Sequence, residues 1–345
     1  MKRVLVTGGT GFIGANLTRR LLKEGHETHL LVRPGHQSWR IAELQDHVCL
    51  LEADLQDKER INALVAGLRP EWIFHLAAYG AYSWQKDAAQ IIDTNCLGFW
   101  RLMEACLEVG FEAFINAGSS SEYGLKDHAP AEDEDLEPNS RYAEAKASAT
   151  IHCIRAAREH GANIQTLRLY SAYGPYEDPG RLIPKLIAHG LRGELPPLVN
   201  PEIARDFIYV EDVVDAFLAA ASHPFKKPAA SQSLNVPAAS QSPQVCAAVC
   251  GSVADIDPVY NVGTGIQTTI REIVEIARCE LDIKAEPQWG SMPDRSWDTS
   301  VWVSDSRRIC ERLGWRPRHT LEEGFRATIQ WFRDHPQYGE IYRSA

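Results

Sequence analysis

The stretch Lys2-Arg3-Val4-Leu5-Val6-Thr7-Gly8-Gly9-Thr10-Gly11-Phe12-Ile13-Gly14 decides the fold. Residues 2–7 are a short apolar, β-branched run, and Ala15 to Lys23 beyond the glycines is amphipathic, so the order is strand, glycine turn, helix start. Glycines 9, 11 and 14 satisfy G-x-G-x-x-G, and glycines 8, 11 and 14 satisfy the wider G-x-x-G-x-x-G. Such a turn reverses sharply, exposes backbone N–H groups and lets the helix pack closely, and a diphosphate fits at that helix N-terminus. Gly8, Gly11, Phe12, Ile13 and Gly14 are the first candidate cofactor-binding residues.

The bulk properties bound what surrounds this stretch. A chain of 345 residues accommodates one large domain or a nucleotide domain with a smaller lobe. No run is long enough to cross a bilayer, and no basic segment leads into an apolar one at the start, so a soluble, unprocessed cytoplasmic protein without a membrane partner is expected. The net charge of −10 argues against a nucleic-acid or anionic-membrane surface. Eight cysteines are scattered through apolar patterns, which suits a reducing compartment. Cys246 and Cys250 could share a helix face, but no further Cys or His pair completes a zinc set, and no metal is expected.

Along the chain, strands alternate with helices. Helix Phe12 to Glu24 is followed by strand Thr28 to Val32, which ends at Arg33. An acid at that position suits the ribose hydroxyls of NAD, whereas an arginine suits a 2′-phosphate, so NADP(H) is favoured with NAD(H) as the alternative; Arg40 could add a second guanidinium. Strand Val48 to Ala53 leads to Asp54 and Leu55, which could reach an adenine edge, although Asp54 could equally cap the helix Lys58 to Leu68. Strand Trp72 to Ala78 is apolar throughout, and the small Ala77 and Ala78 after Leu76 permit close approach of a cofactor; His75 reads as a core residue. A long helix Ala88 to Val109, with Asn95 near its middle, precedes strand Ala113 to Ala117. The pattern predicts an α/β fold: a Rossmann-type doubly wound parallel sheet.

That last strand runs into Gly118-Ser119-Ser120-Ser121-Glu122-Tyr123-Gly124, where ligands of open parallel sheets bind. The acidic run Glu132 to Glu137 reads as a solvated loop. Ser140-Arg141-Tyr142-Ala143-Glu144-Ala145-Lys146 then opens a helix and sets Tyr142 and Lys146 one turn apart on one face. A phenol titrates near about 10, and a neighbouring ammonium favours the phenolate, so this pair can supply a general acid or base near neutral pH. Ser119 is the third member, hydrogen-bonding the reacting oxygen.

Together these residues resemble the extended short-chain dehydrogenase/reductases, and within them the nucleotide-sugar epimerase/dehydratase/reductase group. The likeness spans nearly the whole chain: VTGGTGFIG at Val6 to Gly14, HLAA at His75 to Ala78, Asn95, SSSEYG, the Tyr142/Lys146 pair, LRLYSAYGP at Leu167 to Pro175, RDFIYVEDVVDA at Arg205 to Ala216, YNVGTG at Tyr260 to Gly265 and LGWRP at Leu313 to Pro317. The resemblance implies a bound nicotinamide dinucleotide, a nucleoside-diphosphate sugar substrate gripped by a smaller mixed α/β C-terminal lobe, and a homodimer. It marks Asn95 as a cofactor residue and Arg205 and Arg295 as contacts to the substrate diphosphate, with Arg181 and Lys185 as weaker candidates for the same pocket. The expected division is 1–170 for the dinucleotide domain, to which some later segments return, and 171–345 mainly for the substrate lobe.

Two departures bear on the reaction. Members that eliminate water carry Thr-Asp-Glu or Thr-Ser-Glu before the Tyr-Gly, and an ungapped count puts Ser119, Ser120 and Ser121 there, leaving no acid. A one-residue gap would instead restore Glu122; the ungapped count is adopted, which disfavours a 4,6-dehydratase. Ser171 stands where many members have an asparagine touching the substrate. Residues 223–258 repeat PAASQS in a low-complexity stretch and read as an insertion. Beyond it, Thr269 to Glu272 is a capping box, Trp289, Trp297 and Trp302 surround Arg295, and the last helix is Leu321 to Arg333. The expectation is an NADP(H)-dependent reductase of a 4-keto-deoxysugar nucleotide, with an epimerase as the alternative.

Overall fold

The structure is a computed structural model that describes residues 1–82, 84–223, 258–292 and 299–343. Seven strands form one sheet in the order β10-β6-β5-β4-β1-β2-β3, every neighbouring pair parallel. They are β1 (Arg3–Thr7), β2 (Glu27–Val32), β3 (Cys49–Glu52), β4 (Trp72–His75), β5 (Ala113–Ser119), β6 (Ile164–Leu169) and β10 (Val259–Val262). A parallel sheet needs cover on both faces, which is why β1, β4 and β5 are almost wholly apolar. One face packs on α1 (Phe12–Lys23) and α7 (Val210–Ser222) through Leu17, Leu21, Phe74 and Phe217. The other packs on α2 (Lys58–Leu68), α4 (Phe99–Val109) and α5 (Arg141–His160) through Ile61, Phe99, Leu102 and Phe114.

Strand order reverses between β1 and β4, so the carboxyl ends of those strands open a crevice at the switch point, where ligands of such sheets bind. The glycine turn after β1 and the HLAA residues after β4 form its two lips. Thr7 Oγ1 and His75 Nδ1 lie 2.9 Å apart, and the Ala77 N–H donates to Thr7 Oγ1 at 3.2 Å. Burial drives the His75 pKa down to about 3, so the ring stays neutral, as expected of a core histidine.

Three local readings need correction. The helix expected over 88–109 is broken: α3 (Ala88–Ile92) and α4 flank a π-helical turn, Asp93–Gly98, that carries Asn95; hydrophobic periodicity does not register one inserted residue. The cap of α2 is Asp57, which accepts from the Arg60 N–H at 3.0 Å, while Asp54 accepts from the Gln56 N–H. The acidic run is not all solvated: Glu132 is buried, accepts from the Asn261 N–H at 2.9 Å and pairs with Arg308 at 3.3 Å, because this loop crosses the end of β10.

Residues 170 and 171 lie where the chain passes from β6 into β7 (Ser171–Tyr173), which pairs with β9 (Phe207–Tyr209) in a small parallel sheet. Nearby, β8 (Ala204–Arg205) pairs antiparallel with β11 (Thr268–Thr269). These pieces share a core with α6 (Leu182–Gly190) and the helices Ile270–Leu281 and Leu321–Asp334, built on Ile183, Ile187, Phe207, Val274 and Phe325. Both long helices start with a complete capping box, Thr269/Glu272 and Thr320/Glu323. Of the 223–258 insertion, residues 224–257 lie outside the described residues, with Cys246 and Cys250.

Candidate active site

The glycine turn is shaped so that side chains are excluded. Gly8 has φ +70°, and a Cβ there would sit 2.6 Å from the Ala77 nitrogen and the Leu76 carbonyl carbon; at Gly14 it would sit 2.2 Å from the Gly8 carbonyl oxygen. Backbone therefore lies against backbone, and α1 begins at Phe12 with no side-chain cap on its first N–H groups. This cradle fits the diphosphate of a dinucleotide: Gly11, Phe12, Ile13 and Gly14 would hold it with backbone N–H groups and the positive end of the helix.

Around the cradle, Arg33 is exposed immediately after β2, free to meet the adenosine end. Arg40 is not: it is buried, and its Nε donates to the Tyr176 carbonyl at 2.7 Å. Leu55 is buried against Gly98, where a Cβ would come within 2.7 Å of it. Asn95 has both ends of its amide engaged by one residue, accepting from the Tyr79 N–H at 2.9 Å and donating to the Tyr79 carbonyl at 2.7 Å. It thus braces the loop that follows Ala77 and Ala78.

The chemistry-bearing groups meet beyond β5. Ser119 ends that strand and caps the 3₁₀ turn Ser120–Tyr123, with a full capping box to Glu122. Its Oγ lies 2.7 Å from Ser121 Oγ, and Tyr142 is near enough for Ser119 to act on its titration. Ser140 caps α5, which fixes the phase of the helix and turns Tyr142 and Lys146 toward the strand ends. Lys146 is buried, donates from Nζ to the Ala117 carbonyl at 2.8 Å and lies 6.0 Å from the centroid of the Tyr142 ring. An ammonium has three donors, so two remain for other acceptors in the cleft.

Burial brings the Lys146 pKa down to about 8, an effect that the charge of Glu122 partly offsets. Tyr142 is pushed up to about 12, by burial first and by Glu122 second, with Ser119 and Arg181 acting in the opposite sense. The sequence reading credits Lys146 with lowering the phenol's pKa. Among the protein's own groups burial and Glu122 prevail, and a further positive charge in the cleft is needed to bring Tyr142 toward neutrality.

Glu122 itself is fully buried, accepting from the Ser119 N–H at 2.8 Å and pairing with Arg168 Nε at 2.9 Å. Ser120 lines a shallow recess with Tyr123, Lys126, His128, Tyr170 and Trp302. Arg205 lies over the Trp302 ring, 5.4 Å from its centroid, and donates to the Ala204 carbonyl. Ser171 donates its N–H to the Asp206 carbonyl at 3.0 Å. Arg181 reaches across to the loop after β4, donating to the Ala81 carbonyl at 3.1 Å and lying over Tyr82; Lys185 follows one turn later on α6. Arg295 and Trp297 lie outside the described residues. Among those described, no group of three His, Cys, Asp or Glu side chains is placed to hold a metal, and no helix is long and apolar enough to cross a membrane.

Residues 4–236 match the NAD dependent epimerase/dehydratase family. The chain belongs to that family. A UDP-glucose 4-epimerase of Mycolicibacterium smegmatis is 29% identical over 354 residues, covering 97% of this chain and 100% of the relative. Among solved structures, the UDP-glucose 4-epimerase of Thermotoga maritima with UDP-glucose superposes with a TM-score of 0.79 at 27% identity, over 96% of this chain and 99% of that one. The Thermus thermophilus UDP-glucose 4-epimerase in complex with NAD gives 0.77 at 26%, again over 96% and 99%. This epimerase/dehydratase family member is thus an extended short-chain dehydrogenase/reductase, an NAD(P)-using enzyme of nucleotide-sugar chemistry with the Rossmann-type sheet expected.

Two buried carboxylates take structural roles that the sequence did not disclose. Ser119-x-x-Glu122 is an N-cap signature, which would have turned Glu122 into the protein. Asp206 is fully buried and accepts from the N–H groups of Thr264, Gly265 and Ser304 and from the hydroxyls of Thr264 and Ser304; the Arg-Asp-Phe sequence drew attention to the arginine alone.

Proposed function

We propose that this enzyme is a nucleoside-diphosphate-sugar 4-epimerase that oxidises and re-reduces one sugar carbon with its cofactor retained. The supporting observation is the site's composition: Ser119 at the end of β5, Tyr142 and the buried Lys146 on the facing turn of α5, and a serine turn whose one carboxylate, Glu122, is locked onto Arg168. A 4,6-dehydratase needs an acid and a base at neighbouring carbons, and this turn offers hydroxyls only. The bound nicotinamide supplies hydride acceptance and return. Tyr142 takes the proton of the sugar hydroxyl and gives it back, Ser119 holds that oxygen, and Lys146 directs its free donors at the ribose and keeps positive charge near the phenol. Arg205 and Arg295 bind the substrate diphosphate, a role suited to the planar guanidinium fork, and Arg181, Ser120, Ser121 and Ser171 line the sugar side.

A second reading, net reduction of a 4-keto-deoxysugar nucleotide by NADPH, is favoured by Arg33, exposed at the end of β2 where a 2′-phosphate would lie. Purified protein separates the two with a panel of UDP- and dTDP-sugars. Interconversion of 4-epimers without added cofactor supports the epimerase; consumption of one NADPH per keto-sugar supports the reductase and overturns it.

The homodimer is assigned to the outer face of α3, the π turn, α4 and α5. Ile92, Leu97, Trp100 and Ile151 are exposed there, with Trp100 packed 5.4 Å from His152, an apolar stripe that a second copy of the same face would cover. The assigned compartment is the reducing cytoplasm, consistent with the free thiols of the described cysteines. Light scattering of the purified protein tests the dimer, with Trp100→Glu expected to give monomers.

A further inference from the structure

Glu122 is a buried charge that the reaction scheme above does not use. Its two oxygens have separate tasks. Oε1 receives the Ser119 N–H at 2.8 Å, and Oε2 receives Arg168 Nε at 2.9 Å. Arg168 is itself held on its far side, donating from Nη1 to the Tyr123 hydroxyl at 2.7 Å and to the Glu132 carbonyl at 3.0 Å. The Tyr123 hydroxyl donates onward to Asn261 Oδ1 at 2.8 Å, and the Asn261 N–H donates to Glu132. The chain of contacts runs from the end of β5 through β6 to β10, and every member but the half-buried Ser119 is buried.

Space at the glutamate is closed: a Cβ at Gly118 would lie 2.8 Å from Glu122 Oε1, so the carboxylate occupies the room that a side chain at 118 would need. The titratable groups facing Glu122 are Arg168 from β6, Tyr142, Lys146 and Cys153 from α5, and Tyr123 from its own turn. Those facing Tyr142 are Glu122, Arg181 and Tyr82.

We propose that Glu122 is a positioning residue for the Ser119/Tyr142 pair: its carboxylate, seated between the Ser119 N–H and Arg168, fixes the serine at the end of β5 and keeps a buried negative charge at the foot of the site. This rests on the assignment of Tyr142 as the acid–base group. The same charge acts on both titrating partners in one direction, since an anion raises the pKa of a phenol and of an ammonium alike. Glu122 therefore sets where on the pH axis the site works, while Ser119 and Lys146 set how well it works.

Glu122→Gln keeps an acceptor for the Ser119 N–H and removes the charge. It also leaves Arg168 buried beside an amide, so the neutral pair Glu122→Gln/Arg168→Met is made in parallel, which is the kind of replacement a buried ion pair tolerates. The readout is the pH profile of kcat/KM for sugar interconversion, with circular dichroism to verify folding. Both limbs of the profile are expected to move to lower pH, by about one unit in Glu122→Gln and in the same direction by less in the neutral pair, where the Arg168 charge is removed as well. A purely structural role would lower the profile without displacing it, and an unmoved profile in a folded variant overturns the proposal. Tyr142→Phe is run alongside: if it retains turnover, the assignment of the acid–base group has failed, and if it is inactive while the profile stays in place, the Glu122 proposal alone has failed.

Discussion

Lys146→Met should make the protein more stable while destroying its activity. The lysine is 4% exposed, and its ammonium has a hydrogen bond to the Ala117 carbonyl and, among the described residues, no carboxylate within ion-pairing distance. Its pKa falls from 10.5 to about 8, so folding disfavours the charged form. At about 1.4 kcal/mol per unit, that is a cost of roughly 3 kcal/mol at neutral pH. The direction in pH follows from linkage. A group whose folded pKa is depressed below its unfolded value binds more protons unfolded, so between pH 8 and 10.5 wild-type stability rises with pH. Methionine fills similar volume without charge, and loss of the Ala117 hydrogen bond takes back about 1 kcal/mol. The expected net gain is about 2 kcal/mol at pH 7, shrinking to nothing or reversing by pH 10. Urea unfolding of both proteins at several pH values reads the difference directly, and the Tyr142 contribution cancels because both chains contain it. A variant less stable than wild type at pH 7, or a difference that does not change with pH, would refute the assignment of Lys146 as a strained, function-bearing charge.

Two further outcomes follow from geometry. Gly8→Ala places a methyl 2.6 Å from the Leu76 and Ala77 backbone at φ +70°; dinucleotide binding by calorimetry should be lost, with stability reduced by about 2 kcal/mol or more, and wild-type affinity would contradict the cradle. Asp206→Ala strands the donors of Thr264, Gly265 and Ser304 and should cost about 3 kcal/mol or more in urea unfolding, whereas a neutral result would mean that water replaces the carboxylate.

The parallel sheet was legible because its signals are local and redundant: an apolar run, a glycine turn and an amphipathic helix repeat down the chain. Ser119, Tyr142 and Lys146 were legible because a strand end and a helix face set their geometry. What stayed hidden depends on partners far away in sequence. Arg40 reads as a second guanidinium for a 2′-phosphate, but the Tyr176 carbonyl, 136 residues on, takes it inward. Glu132 belongs to an acidic run, and only Asn261 and Arg308 reveal it as a buried acceptor. The π turn at Asn95 is one residue more than the periodicity needs. The pKa of Tyr142 was misjudged for a related reason: the Lys146 charge is adjacent in sequence, whereas burial and Glu122 come from the fold.

The central claim is that one sugar carbon is oxidised and re-reduced within a single site, with Tyr142 carrying the proton. It is tested most directly by following a nucleoside-diphosphate sugar labelled with deuterium at carbon 4 through turnover of the cofactor-loaded enzyme, by mass spectrometry and proton NMR. The account predicts inversion at that carbon with the deuterium retained there, no net change in reduced nicotinamide, and neither outcome in Tyr142→Phe. Washout of the label into solvent, or inversion undiminished in Tyr142→Phe, would contradict it.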